Sequence, residues 1–489
     1  MSVVDTPTTL HLPPLRASRA RAAGSDAPVV SSDREHRAAD VATLVFFFLF
    51  YVNGAVILSK FHGVPPTLAW SFTALLAIPL ARYVLAERQP LAITPVLPLI
   101  LAFLAGLFFS ALISGEPGIT KQALGPYLTE GLFLFLLVSN AVRSPRTLTR
   151  VVWVLLLAGS VLGAFSIFQE LTHSYANEIG GFAQVDRLDQ GGGFNVASDS
   201  LGPKELRPRL GGPLGSENRY AQILAVLLPL ALLRVWREPL MRNRLLAGGA
   251  GVLILGGLLL TFSRGAAVAL TLVLVAMALF RAIRLRHLLA IVVSAAVVVV
   301  VAVPDYVIRL DSLQGITSLS SDQPSTGADN ALRGRQTENL AAFYTFVDHP
   351  IAGVGPGVYF REYSRQNANQ LGLRYLDSER RAHSLYLELL ADAGLLGLSL
   401  FLALLGTTLV CLHRAARYWR GRRPEYELLA LSFFFSLLAY MGTALFLHLS
   451  YQRYFWVLIA LSSSVIWALR REARLEEAEA VLHRVEPAP

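Results

Sequence analysis

Long apolar runs alternate with short polar segments along most of this chain. A run of about 20 apolar residues is long enough to cross the hydrocarbon core of a bilayer as a helix. The pattern predicts an all-α polytopic membrane protein with about 12 transmembrane helices. The predicted spans are residues 40–59, 66–86, 92–113, 124–142, 149–170, 217–235, 244–262, 265–282, 286–304, 385–412, 426–447 and 453–470.

Two of these spans, 244–262 and 265–282, are separated only by Ser263 and Arg264. A single helix over residues 244–282 would be too long for one crossing of the bilayer. We therefore expect a tight turn at Ser263-Arg264.

Arginine is abundant in one set of loops and scarce in the short loops of the other set. The rich set contains Arg82, Arg88, Arg143, Arg146, Arg150, Arg237, Arg242, Arg244, Arg281, Arg284, Arg286, Arg414, Arg417, Arg420, Arg422 and Arg423. The short loops of the other set carry little beyond Lys60, Lys121, Arg264 and Arg453. By the positive-inside rule the rich set is cytoplasmic, so both termini are expected inside the cell.

The predicted organisation follows from these spans. The parts are a disordered cytoplasmic arm (1–39), spans one to nine with an outer loop near 171–216 (40–304), a large extracytoplasmic loop between helices 9 and 10 (305–384), spans ten to twelve (385–470) and a cytoplasmic tail (471–489).

Composition supports the membrane class and removes several kinds of site. Hydrophobic residues make up 54% of the 489 residues and charged residues only 16%. The net charge of +9 is explained by the loop arginines, so no nucleic-acid partner is predicted. Cys411 is the only cysteine, which excludes an intramolecular disulfide. The outer loops carry neither an acidic metal motif nor paired histidines, so no metal is predicted.

The segment RAHSLYLELLADAGLLGL, Arg381 to Leu398, places three ionisable groups at the mouth of the tenth span. A lone histidine is more often structural than catalytic. His383, however, lies at the predicted outer interface among arginines, and nearby cations favour the neutral imidazole that can accept a proton. Glu388 and Asp392 are one helical turn apart, and we expect both to be counter-ions for arginines.

Further candidates lie on the same predicted face. Asn218 and Arg219 follow the loop GGPLGSE at the start of the sixth span, where Ser216 to Asn218 also resembles an ordinary helix N-cap. Arg264 is either a snorkelling side chain or a functional one. Arg333 and Arg335 precede an amphipathic stretch with Leu340, Phe343 and Phe346 at helical spacing, and the following GVGPG is more often a plain turn than a phosphate cradle.

Several arginines at a membrane surface favour an anionic ligand, ideally a phosphate or pyrophosphate. One histidine among them suits a displacement at carbon. The histidine would take a proton from an attacking hydroxyl while the arginines stabilise a departing pyrophosphate.

Four motifs in this order resemble the O-antigen ligase and polymerase superfamily. They are Gly-x-x-Gly-x-x-Asn-x-x-Ala (Gly212, Gly215, Asn218, Ala221), Ser263-Arg264-Gly265, the Asp348 to Gly357 segment DHPIAGVGPG, and His383-Ser384 followed by Gly394 to Gly397. The resemblance covers residues 120–470. It departs at Ser384, where many relatives have Asn, and at Glu217, where Pro is usual.

The resemblance implies a GT-C-like, metal-independent, inverting glycosyltransferase without a cofactor. It would act on the periplasmic side of the bacterial inner membrane, with a glycan on undecaprenyl pyrophosphate as donor. His383 corresponds to the family's proposed base. Arg219, Arg264 and Arg335 would hold the pyrophosphate, with Arg333 as a substitute for Arg335, and Asn218, Glu388 and Asp392 would support them.

The residues leave the acceptor open. A ligase would use lipid A–core oligosaccharide, a polymerase would use a growing glycan on the same carrier, and a third relative would use a protein hydroxyl. A transporter for an anionic lipid is a further alternative, but it predicts internal repeats and charges along a midplane path, and the sequence shows neither clearly.

Overall fold

The computed structural model describes residues 29–185, 194–196, 205–284, 286–287, 289, 293, 327–372, 376–448 and 452–485, with side chains described except at 29–36, 194–196, 205–207, 327–333 and 482–485. The helices are α1 (Val29–Tyr51), α2 (Gly54–His62), α3 (Pro66–Ala86), α4 (Val96–Ile113), α5 (Pro117–Ala141), α6 (Pro145–Thr172), α7 (Glu217–Arg237), α8 (Met241–Leu259), α9 (Arg264–Leu279), α10 (Gly327–Asp348), α11 (Ser364–Gln370), α12 (Leu385–Trp419), α13 (Pro424–Thr443) and α14 (Gln452–Val485). The strands are β1 (Gln184–Val185), β2 (Phe194–Val196), β3 (Glu205–Arg207) and β4 (Leu210–Gly212). Strand β1 pairs with β4 and β2 with β3, both antiparallel.

The chain is a helical multi-pass membrane protein. Eight described helices are long and apolar enough to cross a membrane, or nine if the bent pair formed by α1 and α2 is one span. Helix α9 is apolar but shorter. Helices lie at eleven of the predicted spans, and the remaining one, 286–304, is almost entirely outside the described residues. The count of twelve stays a prediction.

The turn expected at Ser263-Arg264 is present, because α8 ends at Leu259 and α9 begins at Arg264. The Ser263 hydroxyl caps α9 by accepting from the Ala266 amide at 3.5 Å. A serine at this position satisfies one of the amides that the first turn of a helix leaves without a partner. The local sequence therefore accounts for the helix start.

Helix α12 differs from the single straight span that the sequence predicts. Gly394 has φ 62° and ψ −162°, which breaks the helix. The backbone just before the GVGPG turn fills the break: the amides of Leu395 and Leu396 donate to the carbonyls of Pro350 and Ile351 at 2.9 and 3.0 Å. Irregular backbone inside a membrane bundle needs such partners. Gly394 therefore marks a docking point for the loop, and not simply close helix packing.

The two termini also differ from the prediction in part. Helix α1 begins at Val29, inside the predicted arm 1–39, and the rest of that arm lies outside the described residues. Helix α14 continues through most of the predicted tail to Val485. The described part of the predicted loop 305–384 contains α10, a π-helical turn at Tyr359–Tyr363 and α11.

Candidate active site

The predicted site residues gather at one end of the bundle, which we call the polar end: the end at which α7, α9, α12 and α14 begin. Arg219 lies in the first turn of α7, Arg264 begins α9, and His383 lies two residues before α12. Helix α10 carries Arg335 and packs against α12. The side chain of Arg333 lies outside the described residues.

Arg209 connects the starts of α7 and α9. Its Nε donates to the carbonyl of Thr261 at 3.0 Å, its Nη1 pairs with the Glu217 carboxylate, and its Nη2 donates to Asn218 Oδ1 at 3.3 Å. Asn218 also donates to Glu217 Oε1 at 2.9 Å and accepts from the Ser263 hydroxyl at 2.8 Å. This network fixes the two helix starts relative to each other.

The N-cap pattern at Ser216 to Asn218 is confirmed in its position, because α7 begins at Glu217. Ser216 is the N-cap residue, but its side chain makes no capping hydrogen bond. Glu217 and Asn218 instead bind Arg209. The polar residues at this helix start therefore build the site.

Arg219 and Arg264 directly follow Asn218 and Ser263, the two residues that join the helix starts. Both side chains are buried, with 4% and 5% exposure. Such burial does not fit a snorkelling Arg264, whose guanidinium would lie in water. Two cations are therefore held inside the polar end.

His383 faces a carboxylate that the sequence analysis did not single out. Its Nε2 lies 2.9 Å from Oε2 of Glu338, whose side chain is 3% exposed. The pair has the distance of a hydrogen bond but not its alignment. His383 Nδ1 has no hydrogen-bond partner among the described residues. The hydroxyl of Tyr359 donates to the Glu338 carbonyl at 2.9 Å and so fixes this turn of α10.

Arg335 lies one turn before Glu338 on the same helix face. Burial lowers the pKa of Arg335, Arg209 acts in the same direction, and Glu217 and Glu338 oppose them. These interactions place Arg335 between the Arg209 network and His383. An arginine remains charged under this shift, because its usual pKa is far above neutrality.

Arg381 and Glu388 form a second ion pair beside His383. Arg381 Nη1 donates to Glu388 Oε1 at 2.6 Å, and the guanidinium lies over the Phe360 ring at 4.8 Å. Burial alone would lower the pKa of Arg381, but Glu388 and Asp392 outweigh it and raise that pKa. Glu388 thus pairs with an arginine, as expected of a counter-ion.

Asp392 does something different from the expected pairing with an arginine. Its carboxylate accepts hydrogen bonds from the backbone amides of Gly357 and Tyr359 at 2.9 and 3.2 Å. It therefore holds the GVGPG turn, which in turn positions the loop that leads from α10. The three glycines of that turn have positive φ, as expected for a plain turn.

A cleft of about 400 Å³ opens beside the Arg381–Glu388 pair, and we call it the side cleft. Its walls combine charged, amide and aromatic groups: Gln122, Tyr127, Glu130, Phe360, Arg361, Arg381, Glu388, Gln452 and Arg453. Glu388 Oε2 has no hydrogen-bond partner among the described residues. Sugar rings bind to such mixed walls through their hydroxyls and apolar faces.

Four residues of this site were not predicted from the sequence: Arg209, Glu338, Arg381 and His448. One signal for Glu338 was available, its spacing of three residues from Arg335. His448 lies in the short connection between α13 and α14. Burial lowers the pKa of His448, and Arg219, Arg381 and His383 act in the same direction. The effect of His383 on this pKa places His448 near His383.

No group of three or more possible metal ligands occurs within the part of the chain that the structure describes. The site there consists of cations, carboxylates and two histidines. Its donor set suits an anion better than a metal ion.

Residues 249–402 match the family model described as O-antigen ligase. These residues belong to the O-antigen ligase superfamily. The matched region includes Arg264, Arg335 and His383, whereas Arg219 precedes it. No curated protein matches the chain significantly. The family implies a membrane glycosyltransferase of the O-antigen ligase or polymerase type, with a lipid-linked glycan and an acceptor as its partners.

Proposed function

We propose that this protein is an O-antigen ligase. It transfers a glycan from undecaprenyl pyrophosphate to a hydroxyl of lipid A–core oligosaccharide, at the periplasmic face of the bacterial inner membrane. The observation that carries the proposal is the gathering of buried Arg219 and Arg264 with Arg335, next to a histidine that faces a carboxylate. Family membership of residues 249–402 supports the same reaction class.

The arginines serve as the pyrophosphate site. Guanidinium groups bind phosphate oxygens in a fixed, bidentate geometry, and burial strengthens their attraction for an anion. Arg219 and Arg264 lie in the first turns of α7 and α9, whose amides add further positive potential. These groups stabilise the charge that develops on the pyrophosphate as it leaves, which is the role a divalent metal has in other phosphate sites.

His383 serves as the base. With the Nε2 proton directed to Glu338, the neutral ring keeps its lone pair on Nδ1, the nitrogen without a partner among the described residues. Nδ1 takes the proton of the acceptor hydroxyl while that oxygen forms a bond to the anomeric carbon of the donor. The bond from this carbon to the pyrophosphate oxygen breaks in the same step. One displacement inverts the configuration at the anomeric carbon.

The side cleft serves as the acceptor site. It is bounded by Arg381 and Glu388, which flank His383 in the chain and approach it in space. An in-line displacement requires the acceptor oxygen to approach the anomeric carbon from the face opposite the pyrophosphate, so the acceptor reaches this carbon from the cleft while the arginines hold the leaving group.

The test uses purified protein and a synthetic undecaprenyl-pyrophosphate glycan, with and without lipid A–core. We expect a ligated product only when lipid A–core is present. A ladder of longer lipid-linked glycans without lipid A–core would establish the polymerase in place of the ligase. Complete chelation of divalent metals is expected to leave the rate unchanged, and a loss restored by magnesium would contradict the arginine-based mechanism.

A further inference from the structure

A second cavity of about 400 Å³ lies at the opposite end of the bundle from His383. It is formed by the segment that connects α3 to α4 and by the middle of α14. Its lining residues are Gln89, Pro90, Ile93, Thr94, Pro95, Ile466, Trp467, Arg470, Arg471 and Arg474. The cavity thus carries three arginines and lacks an acidic residue among its described lining.

The charges of α14 are segregated around this cavity. Its carboxylates contact the α12–α13 side: Glu476 pairs with Arg423 at 3.1 Å, and Glu472 and Glu477 accept from tyrosine hydroxyls. Among the described residues, by contrast, Arg470, Arg471 and Arg474 form no ion pair with a carboxylate. Three cations therefore converge without a counter-ion from the described chain.

A fourth arginine increases this concentration of charge. Arg143 and Arg471 lie over the same Trp467 ring, at 5.7 and 5.6 Å from its centroid. Burial lowers the pKa of Arg143, and Arg471 acts in the same direction. Two cations that share one ring repel each other, and a bound anion offsets that repulsion.

The wall of the cavity is fixed by specific contacts. Arg143 Nη1 donates to the Pro90 carbonyl at 2.9 Å, and the Thr94 hydroxyl donates to Ser463 at 3.3 Å. Next to this wall, Leu91 and Ile93 are 58% and 69% exposed. A basic cavity with exposed apolar side chains at its rim suits a ligand that has an anionic head and a hydrocarbon tail.

We propose that this cavity is a binding site for the phosphate headgroup of an anionic phospholipid, with Arg470, Arg471 and Arg474 on the phosphate and the acyl chains along Leu91 and Ile93. The site is separate from the glycan chemistry, so it stands or falls independently of the proposed transfer reaction. A bound phosphate also relieves the repulsion among the arginines.

The test is a titration of delipidated protein in detergent with phosphatidylglycerol, followed by native mass spectrometry. The variant Arg470→Gln/Arg471→Gln/Arg474→Gln is expected to bind the lipid about a hundredfold more weakly, since each of the three basic residues near an anionic lipid contributes about 1 kcal/mol. The matched control is Arg414→Gln/Arg417→Gln/Arg422→Gln, which removes the same charge at the same end of the bundle but outside the cavity. It is expected to bind as the wild type does.

A second variant distinguishes loss of the binding site from misfolding of the triple arginine variant. Gln89→Trp fills the cavity without changing its charge, and it is expected to weaken lipid binding while the thermal midpoint without lipid stays constant. Equal losses in the two arginine variants would overturn the proposal in favour of general surface charge. Equal binding of phosphatidylcholine would overturn it as well. Inorganic phosphate that displaces the lipid at equal concentration would identify a free phosphate, and not a headgroup, as the ligand.

Discussion

Arg143 and Arg381 lie at opposite ends of the bundle, and they are satisfied by different kinds of partner. Arg143, at the end away from His383, is 1% exposed. It donates to the Asn140 carbonyl, the Pro90 carbonyl and Asn140 Oδ1 at 2.8 to 2.9 Å. Its guanidinium lies over the rings of Tyr83 and Trp467. Each of these hydrogen bonds and ring contacts is with an uncharged group of the fold, which is the environment of a structural arginine.

At the polar end the charged groups pair with one another and leave atoms unsatisfied. Arg381 pairs with Glu388, yet Glu388 Oε2 has no hydrogen-bond partner among the described residues. His383 Nδ1 likewise has no hydrogen-bond partner among the described residues. A buried polar atom without a partner costs about 1–3 kcal/mol. Burial of an arginine is therefore a poor sign of function by itself, whereas unsatisfied partners beside a cleft are a better one.

The largest effect is expected from His383→Ala. Loss of a general base lowers a transfer rate by about 10²–10⁴-fold, and the side chain is 30% exposed, so the fold should persist. Initial rates measure the loss of transfer activity, and thermal midpoints in detergent show whether the fold persists. The control is His349→Ala, an exposed histidine of the loop that follows α10. Full turnover by His383→Ala would remove this residue from the mechanism.

Arg143→Gln is expected to have the opposite signature. The shorter side chain leaves carbonyl acceptors of Asn140 and Pro90 unpaired, so the free energy of unfolding should fall by about 2–4 kcal/mol. The transfer rate per folded molecule should stay near the wild-type value. Denaturant or thermal unfolding in detergent measures the free energy of unfolding. The transfer rate divided by the concentration of folded protein measures the activity. An unchanged stability would show that Arg143 is not a structural arginine.

Glu338→Gln tests whether the histidine depends on its carboxylate. The amide keeps the volume but removes the charge that orients Nε2–H, so the turnover number should fall by about tenfold to a hundredfold with little change in the acceptor KM. The matched control is Glu379→Gln, the same chemical change at an exposed position near His383. Equal rates for both variants would make Glu338 a structural residue only.

The smallest effect concerns pH and His448. Because its pKa is lowered in the folded protein, the unfolded state binds an extra proton below about pH 6.5. The free energy of unfolding therefore falls as the pH drops below that value, by up to about 1.4 kcal/mol per pH unit, because folding then requires His448 to lose its proton. His448→Gln removes this dependence, which thermal midpoints between about pH 8 and pH 5 will reveal by comparison with wild type. Parallel curves for the two proteins would contradict the assignment.

Several features of the fold follow from local sequence. The helices α7, α9, α12 and α14 begin near the predicted positions, because an apolar run of membrane length has few alternatives to a helix in lipid. The turn before Arg264 follows from the excessive length of the combined runs. The order of the motifs around Arg264 and His383 predicted the superfamily that residues 249–402 match.

The partners of the site residues depend on packing between segments that are distant in the chain. Nothing near Asp392 in the sequence indicates that it binds the amides of Gly357 and Tyr359, since those amides lie 35 and 33 residues earlier in the chain. Glu338 likewise meets His383 only because α10 packs against the start of α12.

By itself, then, the sequence determined a helical membrane protein, the ends at which its helices begin, and the residue types available for chemistry. Hydrophobic length and local capping act over a few residues, so they can be read from one segment at a time. The tertiary structure alone decided which carboxylate faces the histidine, which arginine is structural, and which atoms remain unsatisfied. Those outcomes depend on the positions of several helices at once, and no single segment encodes them.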